Sequence, residues 1–196
     1  MDASELIEPK PAENRRAKLI GVYVGVLAAL LAICSLGGGN ASKDAMRANI
    51  DATNLWSFFQ AKNIRRSVYS VAADDLDLML KAHPEWPPEA RTTIETKIKD
   101  YRATIARFTS DKASNEGLDE LFVKGKAIEK ERDIAFRKDP YFDAAQAVLQ
   151  IAIVLASVAL IAEVTVLLWF SGVLAVIGTV LMINGFALIV EMPLLG

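Results

Sequence analysis

The sequence has almost no cysteine or histidine. Its 196 residues include one of each, Cys34 and His83. A single cysteine excludes an intrachain disulfide and a zinc site built on several thiolates, and a single histidine excludes a histidine-rich metal site. The chain also lacks an excess of either charge, because 22 Lys and Arg stand against 24 Asp and Glu. This balance argues against a general nucleic-acid binder, which needs a clear basic excess.

The usual arrangements of catalytic residues are missing as well. A Ser-His or Cys-His nucleophile would require His83, which we expect in a solvated turn before Pro84 and far from Cys34. The Gly37–Gly39 run lacks the Lys and the Ser or Thr of a phosphate-binding loop. We therefore predict that the chain is not an enzyme, and we identify no cofactor, metal site or small-molecule substrate.

Hydrophobic residues make up 53% of the chain and concentrate in three segments. These are residues 19–36, residues 144–168, in which Glu163 is the only charge, and residues 172–190, which carry none. A spanning helix needs roughly 20 mainly apolar residues. The sequence therefore predicts three transmembrane helices.

The first of these segments also resembles a secretory signal, because basic residues precede the apolar run. However, the sequence around Cys34 offers a poor cleavage site, and Ile33 before Cys34 does not fit a lipoprotein signal. We expect an uncleaved anchor that follows a polar tail of residues 1–18.

The second and third segments are separated by only three residues, which predicts an antiparallel hairpin that turns near Ser171. Ser171, Gly178 and Gly185 recur every seven residues, and Ala175 lies on nearly the same face. Small residues let membrane helices approach closely, so we predict that this face packs against another helix. The alternative is that glycine is simply common in membrane helices.

Glu163 is the most informative polar residue of the apolar segments. With a turn near Ser171, it would lie at the same depth as Thr179. A carboxylate inside a membrane usually faces protein or water. We predict an interhelical polar contact, with a proton or cation relay as the alternative. Asn184 is interpreted in the same way, as a contact between helices.

The middle of the chain, residues 37–143, is polar and predicted to be helical. We expect the glycines at 37–39 to end the first membrane helix, and further helices at about 42–82, 88–112 and 116–138. The last two would form one descending arm, giving a long antiparallel helical hairpin with its tip at residues 83–88. The alternative is a break near residues 60–66 and a bundle of four shorter helices. The predicted fold class is thus an all-α membrane protein with three spanning helices and a coiled-coil-like region.

Two features of the hairpin bear on binding. The second helix carries apolar residues at spacings of 4, 3, 4 and 3, which is typical of a coiled-coil seam; they are Ile94, Ile98, Tyr101, Ile105 and Phe108. Trp86 lies between prolines at the tip. It is a candidate contact point for a partner, unless it only closes the turn.

Two strings of the sequence support a resemblance to a known family. They are AALLAICSLGGGNASKDA at residues 28–45 and NLWSFFQAKNIR at residues 54–65. Together with the layout of one anchor, a helical middle and a C-terminal apolar pair, they resemble the bacterial membrane proteins grouped as domain of unknown function 4337. The resemblance implies a bacterial inner membrane and no particular activity.

Two groups of basic residues predict opposite sides of the membrane for the helical region. Basic residues of the N-terminal tail place that tail in the cytoplasm and the middle region in the periplasm; they are Lys10, Arg15, Arg16 and Lys18. Basic residues before the second segment favour the opposite arrangement; they are Lys124, Lys126, Lys130, Arg132, Arg137 and Lys138. The first helix usually dominates, so we predict a periplasmic hairpin.

These observations predict a structural or interaction protein of a bacterial inner membrane. Its expected partners are the lipid bilayer and either copies of itself or another membrane or envelope protein. The alternative is an oligomer that conducts ions or protons, with Glu163 lining the path.

Overall fold

The computed structural model describes the backbone of residues 11–190 and the side chains of residues 15–190. Within this range the chain forms four helices and no strand: α1 (Pro11–Ala82), α2 (Pro88–Thr109), α3 (Leu118–Ala162) and α4 (Thr165–Ala187). Helices α1, α3 and α4 are each long and apolar enough to cross a membrane. The all-helical class and the three apolar helices agree with the sequence prediction. Part of the predicted polar tail, residues 1–10, lies outside the described residues.

The glycine run does not end the first helix, so that prediction was wrong. Helix α1 continues through Gly37–Gly39 and reaches Ala82 without interruption. A Cβ at Gly37 would lie 2.6 Å from the ring of Phe142, and one at Gly38 would lie 3.0 Å from the Cβ of Phe142. These two glycines therefore make room for a neighbouring helix, and this packing outweighs the low helix propensity of glycine, about 1 kcal/mol per residue.

The turn between the last two apolar helices also differs from the prediction. Helix α3 ends at Ala162 and α4 begins at Thr165, so the turn lies at Glu163 and Val164 and not near Ser171. Glu163 has a φ of 59°, a left-handed conformation that breaks the helix. Because the residues on both sides of this turn are apolar, the hydrophobicity of the sequence does not indicate where α3 ends.

The predicted third polar helix and the second apolar segment form one helix, α3. It continues through Pro140, which has no N–H to donate to the preceding turn.

The chain divides into two compact units. One combines Met1–Ala45 with Asp133–Gly196, and the other is Met46–Arg132. In the described part of the first unit, α1, α3 and α4 pack around a core that includes Leu27, Cys34, Phe142, Leu149 and Met182.

In the second unit, α2 and the start of α3 lie along α1 in the opposite direction. Tyr69 of α1 makes edge-to-face contacts with Tyr101 and Phe108 of α2, and Trp56, earlier in α1, contacts Phe122 of α3. The arm is interrupted between Thr109 and Leu118, as the sequence suggested, and α1 has no break near residues 60–66.

Candidate functional site

The small-residue face of α4 is buried against its neighbours. Ser171, Ala175, Gly178 and Gly185 are all buried. A Cβ on Gly178 would lie 2.8 Å from Cγ of Leu149, closer than real side chains approach. The small size of the residues on this face, and the missing side chain at Gly178 in particular, thus sets how closely α3 and α4 pack.

A short chain of hydrogen bonds joins all three helices of the first unit. Ser171 Oγ donates to the backbone oxygen of Ala152 at 2.7 Å and lies 3.0 Å from Tyr23 Oη. Because a hydroxyl has one proton and that of Ser171 goes to Ala152, Tyr23 donates to Ser171. Tyr23 was missed by sequence reasoning. Its position in the first apolar segment, seven residues after Arg16, was the available signal.

A second contact holds the other end of the same bundle. The ring of Phe142 on α3 meets Phe186 of α4 edge to face at 4.9 Å between centroids. A Cβ on Gly185 would lie 3.1 Å from that ring. Phe142 is 1% exposed, so its ring fills the space that the glycines of α1 and α4 leave open.

The structure does not bring Glu163 and Thr179 together. Glu163 is exposed in the turn, whereas Thr179 lies in α4 and donates to the backbone oxygen of Ala175, one turn earlier in its own helix. At 1.5 Å per residue, Thr179 is about 21 Å along the helix from Thr165. The expectation of equal depth fails because the turn occurs several residues earlier than predicted.

Asn184 closes the end of its own helix and does not bridge two helices. Its side-chain amide donates to the backbone oxygen of Val190 at 2.8 Å and accepts from the Val190 N–H at 2.9 Å. Tyr141 Oη donates to the same Val190 oxygen at 3.2 Å, which ties this end of α4 to α3.

The N-terminal part of α1 meets the turn between α3 and α4. Arg16 donates to Thr165 Oγ1 at 2.8 Å. Beside this contact, α1 and α4 line an open apolar groove of about 530 Å³, with Ile20 and Tyr23 on one side and Trp169 and Val173 on the other. The basic start of α1 and the turn at Glu163 therefore share one end of the first unit.

In the second unit, the indole of Trp56 on α1 contacts Gly125 and Glu129 of α3. Its Nε1 donates to Glu129 Oε1 at 3.0 Å, and its ring occupies the space where Gly125 has no side chain. Lys126 also donates to Glu129, and this bond, together with that from Trp56, holds the pKa of the Glu129 carboxyl below its ordinary value. The Trp56 contacts fix the register between α1 and α3.

At the tip of the hairpin, Trp86 is partly buried and stacks on His83, with ring centroids 4.9 Å apart and planes 3° apart. Glu85 pairs with His83 Nδ1 at 2.9 Å. Arg91 points back to the carbonyl oxygens of Leu80 and His83 at 3.5 and 3.4 Å. These contacts close the turn, and Trp86 takes part in them.

The contacts described above either pack one helix against another or stabilise a turn. Among the described residues, no three Cys, His, Asp or Glu side chains are grouped so as to hold a metal ion. In the first unit, the hydroxyls of Tyr23 and Ser171 and the guanidinium of Arg16 bond across helices.

The fold and these contacts define a class: an all-helical protein with three helices capable of crossing a membrane and a polar helical region between the first and the second. The chain belongs to the family described as Domain of unknown function (DUF4337), which matches residues 16–188. No curated protein and no solved structure matches the chain.

Proposed function

We propose that this protein is a structural or interaction protein of a bacterial inner membrane. Helices α1, α3 and α4 anchor it in the bilayer, and residues 46–132 present a helical surface to copies of the chain or to another envelope protein. The proposal assigns no chemistry to the chain.

The observation that carries the proposal is the apolar surface that the first unit leaves uncovered. In the most apolar stretches of α1, α3 and α4, only 17, 28 and 17% of the residues are buried inside the protein. Ile161 is 84% exposed and Trp169 is 76% exposed. Removing apolar surface from water lowers the free energy by about 25 cal/mol per Å². In a bilayer the acyl chains cover this surface and keep it out of water, whereas a soluble protein would bury it in its own core.

The helix lengths fit a bilayer. Helix α4 has 23 residues, so it is about 35 Å long at 1.5 Å per residue. The hydrocarbon core of a bilayer is about 30 Å thick. A helix of this length crosses it once with a modest tilt.

The sidedness that we propose follows from the shared end of the first unit. The contact between Arg16 and Thr165 supports placing the basic start of α1 on the same side as the turn at Glu163. By the positive-inside rule this side is the cytoplasm. Residues 46–132 then lie in the periplasm, where envelope proteins are available as partners.

Anchoring and sidedness are tested separately. Membranes are first washed with alkaline carbonate, which removes peripheral proteins. Retention of the chain in the pellet is expected, and its release would refute the anchoring role. Sidedness is then tested with Ala113→Cys in a Cys34→Ala background, since Ala113 is exposed in the link between α2 and α3.

The labelling reagent is a membrane-impermeant maleimide, applied after only the outer membrane is opened. Labelling of Ala113→Cys is expected and supports a periplasmic hairpin. Protection that is lost when the inner membrane is opened would place the hairpin in the cytoplasm. The native chain is the matched control, because Cys34 is fully buried and should not react in either state.

A further inference from the structure

Helix α1 carries a second apolar face that the hairpin does not use. In the second unit, the face that packs against α2 and α3 includes Ala52, Ala73 and Leu80, which are buried. The opposite side of the helix carries ten positions with alternating spacings of four and three, and all ten are exposed: Ile50, Asn54, Ser57, Ala61, Ile64, Val68, Val71, Asp75, Leu78 and Ala82. We call this set the outer seam.

The spacing of the outer seam is that of a coiled coil. Its members form two series with a period of seven, the a and d positions of a heptad. Large apolar residues dominate its centre: Ile64 is 64% exposed, Val68 is 62% exposed and Val71 is 59% exposed. A helix from a partner with the same repeat would insert these side chains between its own.

We propose that the outer seam is a parallel, in-register interface with the α1 helix of a second copy of this chain. The inference rests on the proposed anchoring in a membrane and names the partner that the anchored region binds. Copies inserted in one membrane with one sidedness present α1 in the same direction. Each α1 also leaves the bilayer at the same residue, so equivalent residues of two copies come to the same height.

The residues that flank the outer seam are compatible with this pairing. In a parallel coiled coil, each g position faces the e position five residues later on the partner. The facing pairs would be Met46 with Asp51, Thr53 with Phe58, Gln60 with Arg65, Ser67 with Ala72 and Asp74 with Met79. None of these pairs joins like charges, so two identical helices meet without repulsion at the flanks.

Two polar members of the seam, Asn54 and Asp75, have different effects on the pairing. Asn54 occupies an a position, where paired asparagines bond across a parallel dimer and fix its register. Asp75 also occupies an a position, and two copies would place their carboxylates opposite each other. This repulsion limits the affinity, which suits an interface between chains already concentrated in a membrane.

The first test is disulfide trapping in native membranes, with the full chain in a Cys34→Ala background. Ile64→Cys lies in the seam, and we expect most of it to form a disulfide-linked dimer under mild oxidation. The matched control is Ala103→Cys, which is exposed on α2 and outside the seam. Equal trapping at the two positions would overturn the proposal.

The second test uses equal substitutions on two faces. Val68→Glu and Val123→Glu each introduce a carboxylate at a similarly exposed valine, 62 and 69%, but only Val68 belongs to the seam. We expect Val68→Glu to weaken dimerisation at least tenfold in nanodiscs or mild detergent, as read by mass photometry, and Val123→Glu to change it less than twofold. A monomeric native chain, or equal losses in both variants, would overturn the proposal.

These outcomes separate the inference from the proposed function. A chain that resists alkaline carbonate but shows no seam-specific trapping is anchored without this interface. A chain released by carbonate fails at the anchoring step, and the parallel arrangement then loses its basis. Circular dichroism of each variant establishes that a lost dimer does not reflect lost helix.

Discussion

Replacement of Gly178 by alanine tests how closely α3 and α4 pack. The added Cβ would lie 2.8 Å from Cγ and 3.0 Å from Cδ2 of Leu149, and 3.4 Å from the backbone oxygen of Ala145. Leu149 has no exposed surface, so its side chain can give way only by displacing the buried side chains around it. Forcing an extra methyl group into a packed interior costs about 1–3 kcal/mol.

The matched control is Gly172→Ala in the same helix, where a Cβ would meet nothing within 4 Å. Both substitutions gain the same helix propensity, about 1 kcal/mol in water. This gain cancels in the comparison, so the difference between the two variants isolates the packing cost. We expect Gly178→Ala to be less stable than Gly172→Ala by about 1–3 kcal/mol.

The assay is reversible unfolding of the full chain in mixed micelles, with increasing SDS, followed by circular dichroism. The free energy of unfolding of each variant is compared with that of the native chain. Equal stability of Gly178→Ala and Gly172→Ala would refute the reasoning, because it would mean that α3 and α4 do not approach at Gly178 as closely as the structure has them.

Four further predictions follow from single contacts. Ser171→Ala removes the hydroxyl that joins three helices and should lower the free energy of unfolding in micelles by about 1 kcal/mol; an unchanged value would contradict the bond to the helix backbone. The pKa of Glu120 is held below its ordinary value of 4.5, first by the hydrogen bond from Ser110, so its stabilising effect is present above pH 4.5 and is lost as the pH falls through the lower folded value. Glu120→Gln should therefore reduce the fall in melting temperature below pH 4.5, and an identical fall in both proteins would oppose this. Glu163→Gln should leave any proton flux into liposomes unchanged, because the carboxylate is exposed in a turn; abolished flux would support the conducting alternative. Asp75→Leu should strengthen dimerisation at least fivefold in mass photometry, and a weaker dimer would contradict the parallel pairing.

The parts of the fold that depend on composition were predictable. The proline-rich stretch after Ala82 ends α1 as expected, because proline disfavours helix in the residue before it. The link between the helices predicted at about 88–112 and 116–138 is also present, between Thr109 and Leu118. These boundaries depend on the backbone preferences of individual residues such as proline, and those preferences can be inferred from the sequence.

The boundaries that depend on packing were not predictable. Gly37 was expected to end a helix, but whether a glycine ends a helix or admits a neighbour is decided by the residue that faces it, here Phe142. Likewise, the turn at Glu163 could not be predicted from the sequence pattern, because the residues on both sides of it are apolar. The hydroxyl of Tyr23 in the first apolar segment was visible in the sequence, but its partner was not, because Ser171 lies 148 positions away.

The contrast between α1 and α2 explains why the outer seam calls for a partner. The sequence predicts an apolar seam on α2, and in the structure Ile98 of this seam is buried while Tyr101 and Phe108 contact Tyr69 of α1. Helix α1 differs because it is apolar on two opposite sides, so the hairpin can cover only one of them. When the uncovered side of a helix outside the bilayer is apolar, packing against another helix with the same spacing of apolar residues stabilises it. When all copies are anchored in the same direction, α1 of a second copy has the same seven-residue spacing of apolar residues. It also lies at the same distance from the membrane.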